Sequence, residues 1–266
     1  MFMNTKIRTL PSIYAKKVEK NGCNSMFRNC LTLQEIPSIN FNITTGETYA
    51  FSHMFNNCRN LRFSTTLGTT ETKLFPNLTD LKSYACCGMF ANCNTLPRII
   101  AFDKLRNIAD GAFASMYLNC GGLSGTISYD FSNITVGKSS FANMFRNCDN
   151  ITKCELKFGT LERCSCENMF MGCHSLETAK VEFVDQVVTS YALTHIFYDC
   201  NALSNVWCNM RVPFSFELTH EWLLGVAKNG IYHHSSLINE NLIVRDTSSV
   251  PEGWTCTVGY EMGGTE

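Results

Sequence analysis

Seven times along the chain the same short string returns. It stands as Met26-Phe27-Arg28-Asn29-Cys30, Met54-Phe55-Asn56-Asn57-Cys58, Met89-Phe90-Ala91-Asn92-Cys93 and Met116-Tyr117-Leu118-Asn119-Cys120. It continues as Met144-Phe145-Arg146-Asn147-Cys148, Met169-Phe170-Met171-Gly172-Cys173 and, decayed, Ile196-Phe197-Tyr198-Asp199-Cys200. Three residues after each cysteine comes Leu33, Leu61, Leu96, Leu123, Ile151, Leu176 or Leu203, and the cysteines are 28, 35, 27, 28, 25 and 27 residues apart. A unit of that size cannot bury its apolar face alone, so copies must stack into a solenoid with a continuous core.

Within each unit the spacing predicts a short helix, a turn and a strand. Seven residues before the repeat cysteines stand Cys23, Phe51, Cys86, Phe113, Phe141, Cys166 and Leu193. With the Met, the Phe and the Cys they fill offsets 0, 3, 4 and 7, one face of a two-turn helix. The asparagine before the cysteine suits a helix end. The period then becomes two: Cys154, Leu156 and Phe158, then Ala179, Val181 and Phe183, then Val206, Cys208 and Met210 alternate with polar residues, as half-buried strands do. The third and fourth units are less regular, with Ile99, Ile100 and Phe102, then Ile127, Tyr129 and Phe131.

The fold class expected is therefore an α/β solenoid of helix–turn–strand units. Residues 1–20 read as a partial first rung, because Leu10-Pro11-Ser12-Ile13 resembles Ile36-Pro37-Ser38-Ile39. Residues 21–210 hold the seven repeats, and residues 211–266 read as a small α+β cap. In that cap a helix is expected over 217–228, strands over 230–233 and 242–245, and a closing strand after Pro251. The one long step implies an extra loop around 67–80.

Fifteen cysteines would suggest disulfides in a small secreted protein. Metal is the other reading, at Cys164-x-Cys166 with Cys173-His174 or at Cys86-Cys87. Yet Cys23, Cys86 and Cys166 share a repeat position with Phe51, Phe113 and Phe141, so that position is apolar and the thiol serves as a small hydrophobe. Twelve of the fifteen fall on core positions of the repeat, leaving Cys87, Cys164 and Cys256. Buried free thiols are expected, with no metal and no cofactor.

Catalytic patterns are absent. His220-Glu221 opens like a zinc-protease helix, but Leu224 stands where the second histidine is required. Gly121-Gly122-Leu123-Ser124-Gly125 lacks the spacing of a nucleophile elbow, and no phosphate-binding Gly-x-x-x-x-Gly-Lys loop occurs. The net charge of −1 gives no reason to expect nucleic acid or an anionic membrane as partner. No stretch approaches the roughly 18 apolar residues of a membrane span, and the start lacks the apolar core of a signal peptide.

The Met-Phe-x-x-Cys-x-x-Leu repeat resembles the BspA-like leucine-rich repeat family over roughly residues 10–210. The stretch Trp222-Leu223-Leu224-Gly225-Val226-Ala227, then Gly230-Ile231-Tyr232, then Pro251-x-Gly253-Trp254-Thr255 is similar to the closing segment of repeat proteins from gut Bacteroidales and their phages. The resemblance implies a leucine-rich-repeat solenoid that adheres or recognises and does not catalyse. Bacterial members usually carry an export signal, so its lack favours a phage virion component meeting the host surface. The alternative is a bacterial cell-surface adhesin, and a third class is a carbohydrate-active enzyme or accessory domain. Expected partners are other virion proteins or a host cell-surface protein or glycan, with homo-oligomers possible.

The outward strand face is the candidate binding surface. It presents Lys153, Glu155 and Lys157, then Thr178, Lys180 and Glu182, then Asn205, Trp207 and Asn209. The residues singled out are Glu155, Lys157, Lys180, Glu182 and Trp207. In-register stacking sets Glu155 beside Lys180 and Lys157 beside Glu182, opposite in sign, whereas a slip of two residues pairs like charges. Trp207 is either an anchor for a sugar or protein, or lies under residues 211–266.

Overall fold

The computed structural model describes residues 2–10, 13–36, 39–63, 74–184, 188–210, 216–236, 243, 246 and 249–260. It is a parallel β-solenoid. Its main sheet holds β8 (Ser124–Phe131), β9 (Asn150–Phe158), β10 (Thr178–Phe183), β11 (Asn205–Cys208), β12 (Ile231–Ser235) and β13 (Thr255–Tyr260), neighbours in that order. Every pair is parallel. Earlier rungs carry shorter strands: β1 (Ile13–Ala15) pairs with β3 (Ile39–Phe41), and β2 (Glu35–Ile36) with β5 (Arg62–Phe63). A second ladder joins β4 (Thr45–Gly46), β6 (Asp80–Leu81) and β7 (Asn107–Ile108). Single bridges carry it on through Val136, Leu161 and Val188.

The expected helices are not there. Among the described residues the one α-helix is α1 (Phe216–Thr219). The Met-Phe segment is instead a ribbon of linked turns, in which every fourth residue has a left-handed backbone: Asn21, Ser25 and Asn29 in one rung, Ser139, Asn143 and Asn147 in another. Alternate N–H groups bond in different directions. Met26, Arg28 and Cys30 donate to the carbonyl three residues back, while Cys23, Ser25, Phe27 and Asn29 donate to Ala50, Ser52, Met54 and Asn56 of the next rung at 2.8–2.9 Å. A two-turn helix would satisfy only its own few bonds and is marginal in water. The ribbon ties half its donors to a neighbour, and the helical spacing of apolar residues serves it equally well.

That ribbon explains the motif. The position before the cysteine, filled by Asn, Gly or Asp, has φ between 58° and 71° from Asn29 to Asp199, the conformation these residues tolerate best. Asparagine side chains ladder there: Asn57 Nδ2 donates to Asn29 Oδ1 at 2.9 Å, Asn119 to Asn92 at 2.8 Å and Asn147 to Asn119 at 2.9 Å. At Gly172 a Cβ would come within 2.5 Å of Asn147 Oδ1.

The aromatic position builds a column through the core: Phe2, Phe27, Phe55, Phe90, Tyr117, Phe145, Phe170 and Phe197, with successive centroids 5.1–5.9 Å apart. Trp222 closes it at 6.4 Å. Tyr117 brings the one hydroxyl into this column, and it is satisfied by the Ile100 N–H at 2.8 Å. Each repeat thiol donates to the aromatic residue's carbonyl one rung back: Cys58 to Phe27 at 3.1 Å, Cys120 to Phe90 at 3.0 Å, Cys148 to Tyr117 at 3.1 Å. All fifteen cysteines are free, and all but Cys87, Cys164 and Cys256 are buried.

The ribbon extends beyond the seven copies. Phe2 and Asn4 donate to Met26 and Arg28 at 2.9 Å, and Asn4 has φ 62°. Thr5 takes the cysteine position, its hydroxyl donating to Phe2 O at 2.7 Å. At the other end, where a helix over 217–228 was expected, His195, Phe197 and Asp199 donate to His220, Trp222 and Leu224 at 2.8–3.1 Å. Glu221 and Gly225 have φ 49° and 81°. An eighth ribbon thus leads into β12, and β13 follows Pro251 as expected. Of the strand expected over 242–245, all but Ile243 lies outside the described residues, as do residues 67–73 of the expected loop and Pro11, Ser12, Pro37 and Ser38. Phe75 packs in the core between Phe41 at 5.5 Å and Phe102 at 5.9 Å.

Candidate binding surface on the outward sheet face

The register matches the charge argument. Lys180 is the partner of Glu155 and Glu182 of Lys157, while Ala179, Val181 and Phe183 face inward beside Cys154, Leu156 and Phe158. The inward residues bury fully and fix the strand faces, because a one-residue slip would expose them all. Outward residues therefore form rows across the sheet. One runs Thr126, Lys153, Thr178, Asn205; the next runs Ser128, Glu155, Lys180, Trp207, His233, Thr257; a third runs Asp130, Lys157, Glu182.

Charges on these rows also pair along the strands. Lys153 Nζ lies 2.7 Å from Glu155 and Lys180 Nζ 2.9 Å from Glu182, while Lys157 reaches Glu182 across strands at 4.0 Å. Exposed pairs like these contribute under about 1 kcal/mol each. They hold the side chains in place more than they hold the fold.

Trp207 is half-buried. Among the described residues after it, β12 continues the sheet at its side, and His233 covers one face of the indole, stacked with centroids 4.1 Å apart and planes 5° from parallel. The imidazole is itself held at both nitrogens: Nε2 meets Asn205 Oδ1 at 3.1 Å and Nδ1 meets Thr257 Oγ1 at 2.9 Å. Burial, then the neighbouring His234, holds its pKa below the usual histidine value. Neutral His233 fits both contacts, Nε2–H donating to the amide oxygen and Nδ1 accepting from the hydroxyl. The stack holds the indole rigid in the row beside Lys180 and the mixed charges of its neighbours. Beyond β8, where residues 97–106 form no strand, a cleft of about 500 Å³ is lined by Arg98, Phe102, Asp103, Tyr129, Asp130 and Phe131 among others.

Comparison with known proteins decides the family. The family model for the BspA type leucine rich repeat region matches six copies over residues 1–88 and 86–207. The chain belongs to this family. The crystal structure of a leucine-rich repeat protein from Bacteroides ovatus ATCC 8483 is similar at 12% identity, over 93% of this chain and 82% of that one, with a TM-score of 0.21. No curated protein matches. BspA type repeats are a binding and structural family, typically non-catalytic and often found at cell surfaces. Among the described residues no helix is long and apolar enough to cross a membrane.

The BspA-type stacking also assembles side chains that the linear sequence kept apart. His174 Nδ1 lies 2.8 Å from Asp149 and Nε2 3.5 Å from Asp199, on the rungs either side. The hydrogen bond to Asp149 leads in raising its pKa. His195 and Glu221 occupy the same ribbon position in adjacent rungs, five residues before Cys200 and Val226, and meet at 3.1 Å with His220 close by. Equal offsets from the cysteine position align Asp149 with His174 and His195 with Glu221, and rung stacking then brings Asp199 and His220 beside them.

Proposed function

We propose that the chain is a non-catalytic recognition protein that grips a host cell-surface protein or glycan through the outward face of β8–β13, as a component of a phage particle. The observation that carries this is the Trp207–His233 stack. A tryptophan held rigid by a stacked neighbour contributes contact area at little cost in conformational entropy. Lys157, Glu182, Glu155 and Lys180 lie on the neighbouring rows and give the surface its polar selectivity. Residues 211–266 act as the cap that carries the sheet past Trp207 and ends it.

The test is binding of the purified chain to host cells and to isolated surface polysaccharides and envelope proteins. Trp207→Ala and Lys180→Ala should each weaken capture about tenfold or more with the melting temperature of the solenoid unchanged, as for residues at the centre of an interface. Undiminished capture by both variants rejects the surface. Mass spectrometry of purified particles tests the location, and absence from every virion would replace the phage reading with that of a bacterial adhesin. Turnover of any host polysaccharide would overturn the non-catalytic reading.

A further inference from the structure

We propose that His195, His220 and Glu221 form a site for one divalent transition-metal ion of the zinc class, on the turn ribbon and away from the outward sheet face. One potential ligand atom from each residue falls within 4.8 Å of the others, and His195 Nε2 lies 3.1 Å from Glu221 Oε2. Tetrahedral zinc with bonds of about 2.0–2.2 Å holds its ligand atoms roughly 3.3 Å apart. One pair already stands at that spacing, and the third needs a side-chain adjustment of at most about 1.5 Å. Two imidazoles and a carboxylate suit zinc, nickel or copper better than calcium or magnesium, and three protein ligands leave a fourth position open.

The scaffold is fixed. His195 N donates to His220 O at 2.9 Å, and Phe197 and Asp199 tie the same two rungs together at 3.1 and 2.8 Å. The Tyr198 ring meets His195 edge-on at 5.2 Å, and the His220 ring lies 5.2 Å away. All three candidate ligands are half-buried.

Glu221 carries a further mark. It has φ 49°, a left-handed conformation that disfavours side chains other than Asn, Asp and Gly. The equivalent positions hold Ser25, His53, Gly88, Ser115, Asn143, Asn168 and His195, so a carboxylate enters this column only beside a histidine pair. Elsewhere in the column His53 faces Gly88, which offers no ligand. His174 differs too, since its two nitrogens point to different carboxylates, and one ring cannot turn both toward a single ion.

The test uses the full chain under a non-thiol reductant, with zinc measured by calorimetry and mass spectrometry and cobalt(II) as optical probe. One equivalent should bind, and the cobalt spectrum should show ligand-field bands without intense thiolate charge transfer, which separates this site from the cysteines. Removing a direct ligand should cost at least the roughly 10–100-fold that loss of a supporting contact costs. Glu221→Gly is the sharpest variant, because glycine suits the left-handed backbone; affinity should fall about 100-fold while the melting temperature holds or rises. His195→Gln should lose affinity likewise, and His174→Ala should not. No binding to the wild type, a thiolate spectrum, or equal affinity in Glu221→Gly and His195→Gln would overturn the site.

Discussion

Raising the pH should unfold this solenoid abruptly, and the thiol column sets where. Burial pushes the pKa of Cys58, Cys120 and Cys173 from 9.0 up to about 12 and of Cys208 to about 11. It carries Cys86, Cys93, Cys148, Cys154, Cys166 and Cys200 further still. The fold holds these ten thiols neutral, so their contribution is fully present well below pH 9 and is lost as the pH climbs toward the folded values. Linkage makes the loss about 0.4 kcal/mol per thiol at pH 9 and about 1.4 at pH 10, or roughly 4 and 14 kcal/mol for the ten together. A domain's whole stability is about 5–15 kcal/mol. Circular dichroism and thiolate absorbance, followed together in a non-thiol reductant, should therefore show cooperative loss of β-structure between about pH 9 and 10, with the thiolates appearing in the same step. A native spectrum at about pH 10.5, or thiolates appearing singly in an intact fold, would refute the reasoning.

At neutral pH a thiol reagent should modify Cys87, Cys164 and Cys256, the half-buried three, and reach the rest only after denaturation; native labelling of Cys148 would contradict the column. Phe145→Ala removes a fully buried ring lying 5.4 Å from Tyr117 and 5.1 Å from Phe170, and urea unfolding should show a loss of about 3–5 kcal/mol. Cys148→Ser should cost about 1–3 kcal/mol, because a buried hydroxyl on a shorter bond reaches the Tyr117 carbonyl less closely than the thiol does at 3.1 Å. Lys180→Glu should destabilise more alone than beside Glu155→Lys; a coupling of a few tenths of a kcal/mol is expected, since Lys180 also pairs with Glu182.

The sequence made the strands, their faces and their register legible, because alternation in Cys154–Leu156–Phe158 and Ala179–Val181–Phe183 admits one inward face and the charges on Glu155, Lys157, Lys180 and Glu182 reject the slipped pairing. The helix was a misreading with a physical cause. Offsets 0, 3, 4 and 7 share a side in both an α-helix and the turn ribbon, so apolar period cannot separate them. The separating signal is the run of Asn, Gly and Asp before the cysteine, together with Ser, His, Gly or Asn four residues earlier, all left-handed. The eighth rung around Trp222 and the half rung at Phe2 lack the repeat cysteine, so only the ribbon's backbone pattern shows their likeness to the others. Trp207 was placed on the correct face by alternation alone. Its partner His233 was not, because nothing in the sequence said that β12 would join β11.

The bonds between ribbons run from rung to rung, and that direction has a mechanical meaning. A pull along the stacking axis loads Cys23–Ala50, Phe27–Met54 and their counterparts in tension, one rung boundary at a time, as a zipper is opened from its end. Resistance to such a pull comes from one interface rather than from the whole molecule. Each rung that peels away releases 25–35 residues of chain, about 90 Å of slack for a typical rung of extended backbone. A solenoid built this way yields to an axial pull in steps, lengthening while the remaining rungs stay folded.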